Sequence, residues 1–474
     1  LQLDAPLYIA RAPGGADLVG GPAEMLGGVS ASIAIGRSVY CAIQNRRDER
    51  VRVRILRGVA GGGNLEWSGK ISTLYTKKGP PRSLVVLKQQ FENDGAGWMM
   101  EMVAAMIGLR RTHQLNTPKV GFDLVMWDQL PASDGHARAA SRATSLSLAF
   151  KASTGLDKKR VDGVRVARAV AYGQQEVLDR LIGLTPTLTA GVARTGCLLT
   201  IDHNLDPVMN WVPLPDHVSI GVVDLGLGSL VPAAALDAVV VGAQMALERL
   251  NAALVKAKQN PRGGWGQVTP TEFEGGLRNH VPIKETGAEW RKDFPDVDRP
   301  WAAKVDLEAS YRLRALAEHH VREAGRARRF LDSMQEYARS RRDEHLIETG
   351  RAMNGSQRSL AEKCGIAPEA VKEFLDLLNE GGRKAGFFGA RMAESGGSSM
   401  ICVLAQASGL EKLREILRDY SKKHKTHAAL LPGTGQGGVL TAWWEGVLET
   451  LEDADDGDRD AGPSKAVVAS DDDA

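Results

Sequence analysis

Residues 8–29, YIARAPGGADLVGGPAEMLGGV, carry the reading on which the fold turns. A short apolar run leads into Ala12-Pro13-Gly14 and a glycine-rich stretch through Asp17, Gly20 and Gly21, and a second apolar run follows from Val29 to Ile35. The pattern predicts a strand, a bend and a strand. Pro13 removes a ladder donor, while Gly14 and Gly15 accept backbone angles that other residues avoid. The chain can therefore turn sharply there and bring main-chain N–H groups close to a small ligand. The same composition also suits a plain structural turn, so this stretch alone assigns no site.

Working outward, alternation over Ser38–Ile43 and Glu49–Leu56 predicts two strands, with Asn45–Asp48 as their turn and a flexible loop over Gly58–Gly63. Gly97–Leu109 has helical apolar spacing, and its Met-rich face reads as core packing. A buried strand over Gly121–Trp127 precedes helices over Ala139–Phe150 and Arg165–Ile182. Strands over Cys197–Asp202 and Val218–Asp224 lead to a long helix, Ala233–Ala257. Gln259–Trp301 reads as a long loop with one short helix. Asp306–Tyr337 reads as a helix bearing Arg312, Arg314, Arg322, Arg326, Arg328 and Arg329, with Arg339 just beyond, its basic face solvated. A nucleic-acid partner would call for interleaved aromatic residues or a known module, and neither is there. Paired helices over Asp343–Leu378, a strand over Met400–Leu404, and helices over Leu410–Lys423 and Val439–Leu451 complete the order.

A chain of 474 residues is long enough for two or three cored domains. Its hydrophobic fraction of 43% and charged fraction of 25% are ordinary for a globular protein. No uninterrupted apolar segment approaches the roughly 20 residues that span a bilayer, and the N-terminus shows no secretory pattern. The expectation is a cytoplasmic protein with no membrane partner. Cys41, Cys197, Cys364 and Cys402 lie far apart with no CxxC or metal-ligand spacing, which predicts reduced, mostly buried thiols and no metal site. The net charge of +2 hides an Asp-rich end, Asp453–Ala474, too polar to order itself.

Several strings recur in one order along the chain: Ala12, Pro13, Gly14, Asp17, Leu18, Val19 and Gly20; then Pro131, Gly135, Ala140 and Ser141; then Gln175–Gly183; then Asp224 and Gly226; then Met353, Asn354, Ser356, Ser359 and Leu360; and finally Gly389, Ala390, Arg391, Met392 and Gly396. This series resembles the galactokinase and L-arabinokinase-like branch of the GHMP small-molecule kinases. The resemblance implies an α+β fold of two domains, a ribosomal-protein-S5-like N-terminal domain over 1–215 and a ferredoxin-like C-terminal domain over 216–440, with an acidic disordered tail over 453–474. It implies ATP and magnesium as cofactors and a sugar as the other small-molecule partner. Substrate-binding roles fall on Asp17, Glu24, Asp224 and Gly226, with Glu24 at the position of a sugar-binding Asp. The nucleotide cradle falls on Pro131, Gly135, Arg138, Ala140 and Ser141, and the third motif on Gly389, Arg391, Gly396 and Gly397.

The same resemblance shows where chemistry has been replaced. The active-site arginine falls on Gly15, the magnesium-associated Glu on Leu178 and the catalytic Asp on Ala190, so no catalytic residue is assigned. In the phosphate loop Ser133, His136, Ala137, Arg138 and Ala139 replace a glycine, a leucine and a serine triplet, with Arg138 as a candidate compensating charge. In the third motif Glu394, Ser395, Ser398 and Ser399 replace glycines. Two readings follow. The first is an inactive or very weak homologue retained for binding a sugar, a nucleotide or a protein partner. The second is a divergent ATP-dependent sugar 1-kinase, acting on galactose, arabinose or a related monosaccharide through relocated groups, for which Glu24, Asp179, Asp202, His203 and Asp224 are the candidates. A positioned base contributes about 10²- to 10⁴-fold and an arginine on the transferring phosphoryl group about 10³- to 10⁵-fold. Relocated groups would have to recover much of that.

Overall fold

Two principal sheets organise the computed structural model, which describes residues 1–448 except 4, 58–62, 77–80, 115–119, 132–134, 205, 394–397 and 432. The larger sheet runs Trp444–Gly446, Leu7–Val19, Val29–Asn45, Phe122–Asp128, Arg50–Arg57, Leu65–Lys70, with Cys197–Asp202 and then Val208–Pro213 attached to the Val29–Asn45 strand. The smaller sheet is antiparallel and runs Phe387–Met392, Ser398–Gln406, Val218–Ser229, Ala429–Leu431. Period-two alternation explains the Arg50–Arg57 strand, which buries Val51, Val53 and Ile55 and exposes Arg52 and Arg54. The expected Asn45–Asp48 turn does not make a hairpin. Phe122–Asp128 inserts between the two strands and pairs parallel with Arg50–Arg57.

The first motif also differs from its expectation. Ala12-Pro13-Gly14 is not a bend, because Leu7–Val19 is one continuous strand whose register against Val29–Asn45 shifts between Pro13 and Gly15 and again between Asp17 and Val19. A residue without an N–H fits at such a bulge, where the ladder is already interrupted. The turn comes later. Gly20 at φ 101° leads into a short 3-10 helix, Gly21–Leu26, closed by Gly27 at φ 80°. A Cβ on Gly20 would lie 2.6 Å from the Val29 carbonyl oxygen, so both angle and space demand glycine.

Helices Met100–Arg111, Gly135–Ser153, Gly163–Leu178 and Leu184–Val192 form a layer that packs on the large sheet. Gly163–Leu178 is N-capped by Asp162, which accepts from the Arg165 amide. It stops at Leu178, not at Ile182, because Asp179 takes the left-handed conformation at φ 50°. Among the described residues Ala233–Lys256 is the one helix long and apolar enough to cross a membrane, but Asp237, Glu248 and Arg249 interrupt its apolar run and its apolar side lies in the core beneath the small sheet.

The long arginine-bearing helix is Leu313–Ser340, and it links the two halves. Leu313, Leu316, Ala317 and Val321 join the core of the small sheet, and Ala327, Phe330, Met334 and Tyr337 join that of the large one. Its basic face is only partly solvated: Arg322, Arg328 and Arg329 are exposed, whereas Arg326 is buried beside Glu323. Residues 259–301 hold two short α-helices instead of one, Pro270–Glu274 and Gly287–Asp293, each opened by a Thr/Glu capping box, and two 3-10 turns, Trp265–Gln267 and Leu277–His280. The expected Val439–Leu451 helix is a single turn, Gly438–Thr441, followed by the Trp444–Gly446 strand on the edge of the large sheet. The tail over 453–474, and all of the Gly58–Gly63 loop but Gly63, lie outside the described residues. Among the described residues no disulfide joins the four cysteines; Cys41 and Cys402 are buried, while Cys197 and Cys364 are partly exposed.

Candidate functional site

A cleft opens between the Gly20–Leu26 turn, the approach to the Leu184–Val192 helix and the first turns of Ala233–Lys256. Asp17, Glu24, Gly183, Thr185, Pro186 and Asp237 line it, with Met25, Leu181, Leu236 and Val240 as apolar wall. Among the described residues that line it, none is Arg or Lys.

Each carboxylate has a different environment. Asp17 Oδ2 accepts from Arg391 Nη1 at 2.8 Å, both side chains being buried. Asp237 faces Lys304 Nζ at 3.1 Å, and the same ammonium lies 3.3 Å from Asp179. Glu24 Oε2 accepts from the Thr185 amide at 2.7 Å, and its ion-pair partner among the described residues is His203, 3.5 Å away. His203 Nε2 also lies 3.0 Å from Ser30 Oγ and 3.2 Å from Thr185 Oγ1. Burial pushes the Glu24 carboxyl up to about 7; the Thr185 hydrogen bonds oppose this and Asp17 adds to it. Burial pushes His203 down to about 4, Asp202 opposing, so at neutral pH the imidazole offers Glu24 no positive charge.

The two positions that correspond to the arginine and the aspartate are neighbours in space. A Cβ on Gly15 would meet Thr189 Cγ2 at 2.8 Å, and Thr189 directly precedes Ala190. Thr189 is held in place, its hydroxyl lying 2.7 Å from Ser32 Oγ and donating to the Thr185 carbonyl. Ser30 and Thr185 make a second such hydroxyl pair one turn away, also at 2.7 Å. The helix is buried throughout Thr185–Val192, with Ala190 at 1% exposure. Leu178 ends its helix half-buried against the core, and Asp179 points outward to Lys304.

The cradle residues are placed around the start of Gly135–Ser153. Pro131 and Ala140 are buried, and Gly135 opens the helix at φ 27°. Ser141 Oγ is fully buried, 2.6 Å from the Pro13 carbonyl and 2.8 Å from that of Ala137, so its proton is spent on the backbone. Arg138 Nε donates to the buried Asp128, which also takes Arg142, and Arg142 reaches Glu101. Two cations thus meet two carboxylates, and Arg138 is not a spare charge for a phosphate. Leu178 offers magnesium no oxygen, the Ser141 hydroxyl is already engaged, and among the described residues no cluster of three His, Cys, Asp or Glu is formed. These residues do not fit a bound magnesium ion.

Asp224 and Gly226 fall in the small sheet, away from the cleft lining. Asp224 Oδ1 accepts from the Gly226 amide and lies 3.1 Å from Ser399 Oγ, which makes a local turn. Asp202 likewise accepts from Asn204. Gly389 lets its strand approach the Asp343–Ser359 helix, since a Cβ there would lie 2.7 Å from the Gly350 carbonyl. Gly396 and Gly397 lie outside the described residues, as do Ser133, Glu394 and Ser395. Residue patterns did not single out Glu323, His319 and His320, all buried on the arginine-bearing helix. Glu323 accepts from the Gly20 amide, Ser356 and Arg326, and so pins the first motif's turn to the other half of the chain. An acidic residue on the apolar side of a helix, three before an arginine, is the signal that could have found it.

No protein-family model matches the chain. Over 479 residues it is 20% identical to an L-arabinokinase of Arabidopsis thaliana, an alignment that takes in 90% of this chain and 45% of that protein, so the chain spans less than half its length. A galactokinase of Lactococcus lactis, solved with galactose, superposes at TM-score 0.67 over 91% of this chain and 94% of that one, with 14% identity. A mevalonate kinase of Methanococcus jannaschii superposes at 0.52 over 90% and 98%, with 13% identity. The fold is that of the GHMP small-molecule kinases. Within that class, the chain resembles the galactokinase and L-arabinokinase branch.

Proposed function

We propose that this protein binds a monosaccharide in the Glu24–Asp237 cleft and has lost, wholly or very nearly, the capacity to phosphorylate it. One contact supports this above the others: the space between the arginine and aspartate positions is filled by the Thr189 side chain, against Gly15 and next to a buried Ala190. Gly15 and Ala190 themselves supply neither a cation nor a base for phosphoryl transfer to a hydroxyl. We take 1–215 and 216–440 as the two domains of this homologue and 453–474 as a solvated tail. A thermal-shift measurement with galactose and arabinose, run beside a phosphorylation assay with ATP and magnesium, tests the reading. Stabilisation by a sugar with no turnover is expected, and turnover of any sugar would sink it.

A second reading, a divergent sugar 1-kinase, draws on Glu24. A cleft carboxyl that titrates near neutrality lies in the useful range for a general base. It requires ATP-dependent turnover that disappears in Glu24→Gln, and the absence of nucleotide binding at millimolar ATP would rule it out.

A further inference from the structure

Resting on the sugar-binding reading, we propose that the cleft selects a sugar bearing a free amine, cationic at neutral pH, over neutral and acidic sugars, with Glu24 as the carboxylate that receives the ammonium group and Asp237 as a second negative group lining the same cleft. The argument is one of charge. Asp17 is compensated by Arg391, and Asp237 shares Lys304 with Asp179. Glu24, with 8% of its side chain exposed, faces neutral His203 and no Arg or Lys among the described residues. A buried carboxylate without a counter-ion is costly, and a cationic ligand relieves that cost. A neutral sugar leaves the carboxylate uncompensated or requires it to stay protonated. A uronic acid would bring a like charge next to Glu24 and Asp237.

The same geometry gives the pH dependence its sign. The groups facing Glu24 are Asp17 on its own motif, Thr185 on the helix, His203 with Asp202 behind it, and Asp237 with Lys304 on the remaining wall. His203 titrates well below neutrality, so Glu24 is the group that changes charge in the neutral range. Below about pH 7 the free protein must give up a proton from Glu24 before an ammonium can pair with it, and above that it need not. Affinity for the amine sugar therefore rises from about pH 6 as Glu24 ionises and falls again above about pH 7.7–8, where an amine of the α-amino kind gives up its own proton, whereas that for a neutral sugar does not follow it.

Calorimetric titration of the full chain with galactosamine, galactose and galacturonic acid tests this. At about pH 7.4, between the Glu24 carboxyl and the sugar's own amine, we expect galactosamine to bind about tenfold more tightly than galactose, and galacturonic acid more weakly than either. In Glu24→Gln the galactosamine-to-galactose ratio should fall about tenfold, and Asp237→Asn, which leaves the buried carboxyl in place, should lower it independently. Equal or tighter binding of galactose, tight binding of galacturonic acid, or a ratio unmoved in both variants overturns the proposal. If no sugar binds at all, the sugar-binding reading itself falls; galactose binding without amine preference overturns this inference alone.

Discussion

Arg391 and Asp17 stand 374 positions apart in the chain, yet the guanidinium Nη1 lies 2.8 Å from the carboxylate Oδ2, both side chains buried. The pair ties the strand of the third motif to that of the first. Arg391 Nη1 also lies 3.3 Å from the Asp17 carbonyl, and Cys402 Sγ 3.7 Å from the same oxygen. The two motifs are thus held as one unit whether or not they serve a reaction. Removing one partner breaks a buried charge-assisted hydrogen bond, so Arg391→Ala or Asp17→Asn should each lose about 1.5–3 kcal/mol in urea denaturation. The pair Asp17→Leu with Arg391→Met should lose less than either single change. A loss under about 1 kcal/mol for the single variants would show the pair to be solvated.

Gly15 and Thr189 should behave as a coupled pair. Gly15→Ala places a methyl 2.8 Å from Thr189 Cγ2 and should destabilise the fold by about 1–3 kcal/mol through overpacking. Thr189→Ser removes that methyl and keeps the hydroxyl that pairs with Ser32, so the double variant should recover most of the loss. Strict additivity in a double-mutant cycle would contradict the contact.

Glu323 should control the turn of the first motif. Burial alone would raise this carboxyl, but Arg326, His319 and Arg391 hold it well below the usual range, so it accepts the Gly20 amide as a carboxylate. Glu323→Gln turns that charge-assisted bond into an ordinary one, worth about 1–2 kcal/mol less, and should speed Gly20 amide exchange about 5- to 30-fold. Unchanged exchange at Gly20 would place the turn's stability elsewhere.

The pH dependence of stability offers an independent check on Glu24. Its folded-state value is raised from 4.5 to about 7, so between those limits the folded chain keeps a proton that the unfolded chain has released, and stability falls as pH rises. His203, lowered from 6.5 to about 4, acts oppositely, and stability rises with pH across its window. In Glu24→Gln only the histidine effect remains. The variant should therefore gain on the natural protein as pH rises from about 4.5 to about 7, by up to about 3 kcal/mol. A difference that stays flat in paired urea titrations would mean that Glu24 ionises like an exposed carboxyl.

Sequence alone determined several of the local elements. The alternation of Arg50–Arg57, the 3.6-residue spacing of Met100–Arg111 and the 24-residue span of Ala233–Lys256 are set by neighbours a few positions apart, and the Ala12–Gly14 and Gly389–Met392 strings fixed the class of fold. Tertiary structure decided what could not be local. Pro13 reads as a bend in one dimension and becomes a bulge because a long partner strand, Val29–Asn45, extends past it. Arg138 and Arg326 look like free cations in the sequence and are neutralised by Asp128 and Glu323. Glu24 acquires its unusual carboxyl, and Gly15 its lack of room for a Cβ against Thr189, from chain segments more than 150 residues away, as the 161-residue separation of Glu24 and Thr185 shows. Burial and charge pairing depend on which surfaces the fold brings together, and residue spacing does not record that.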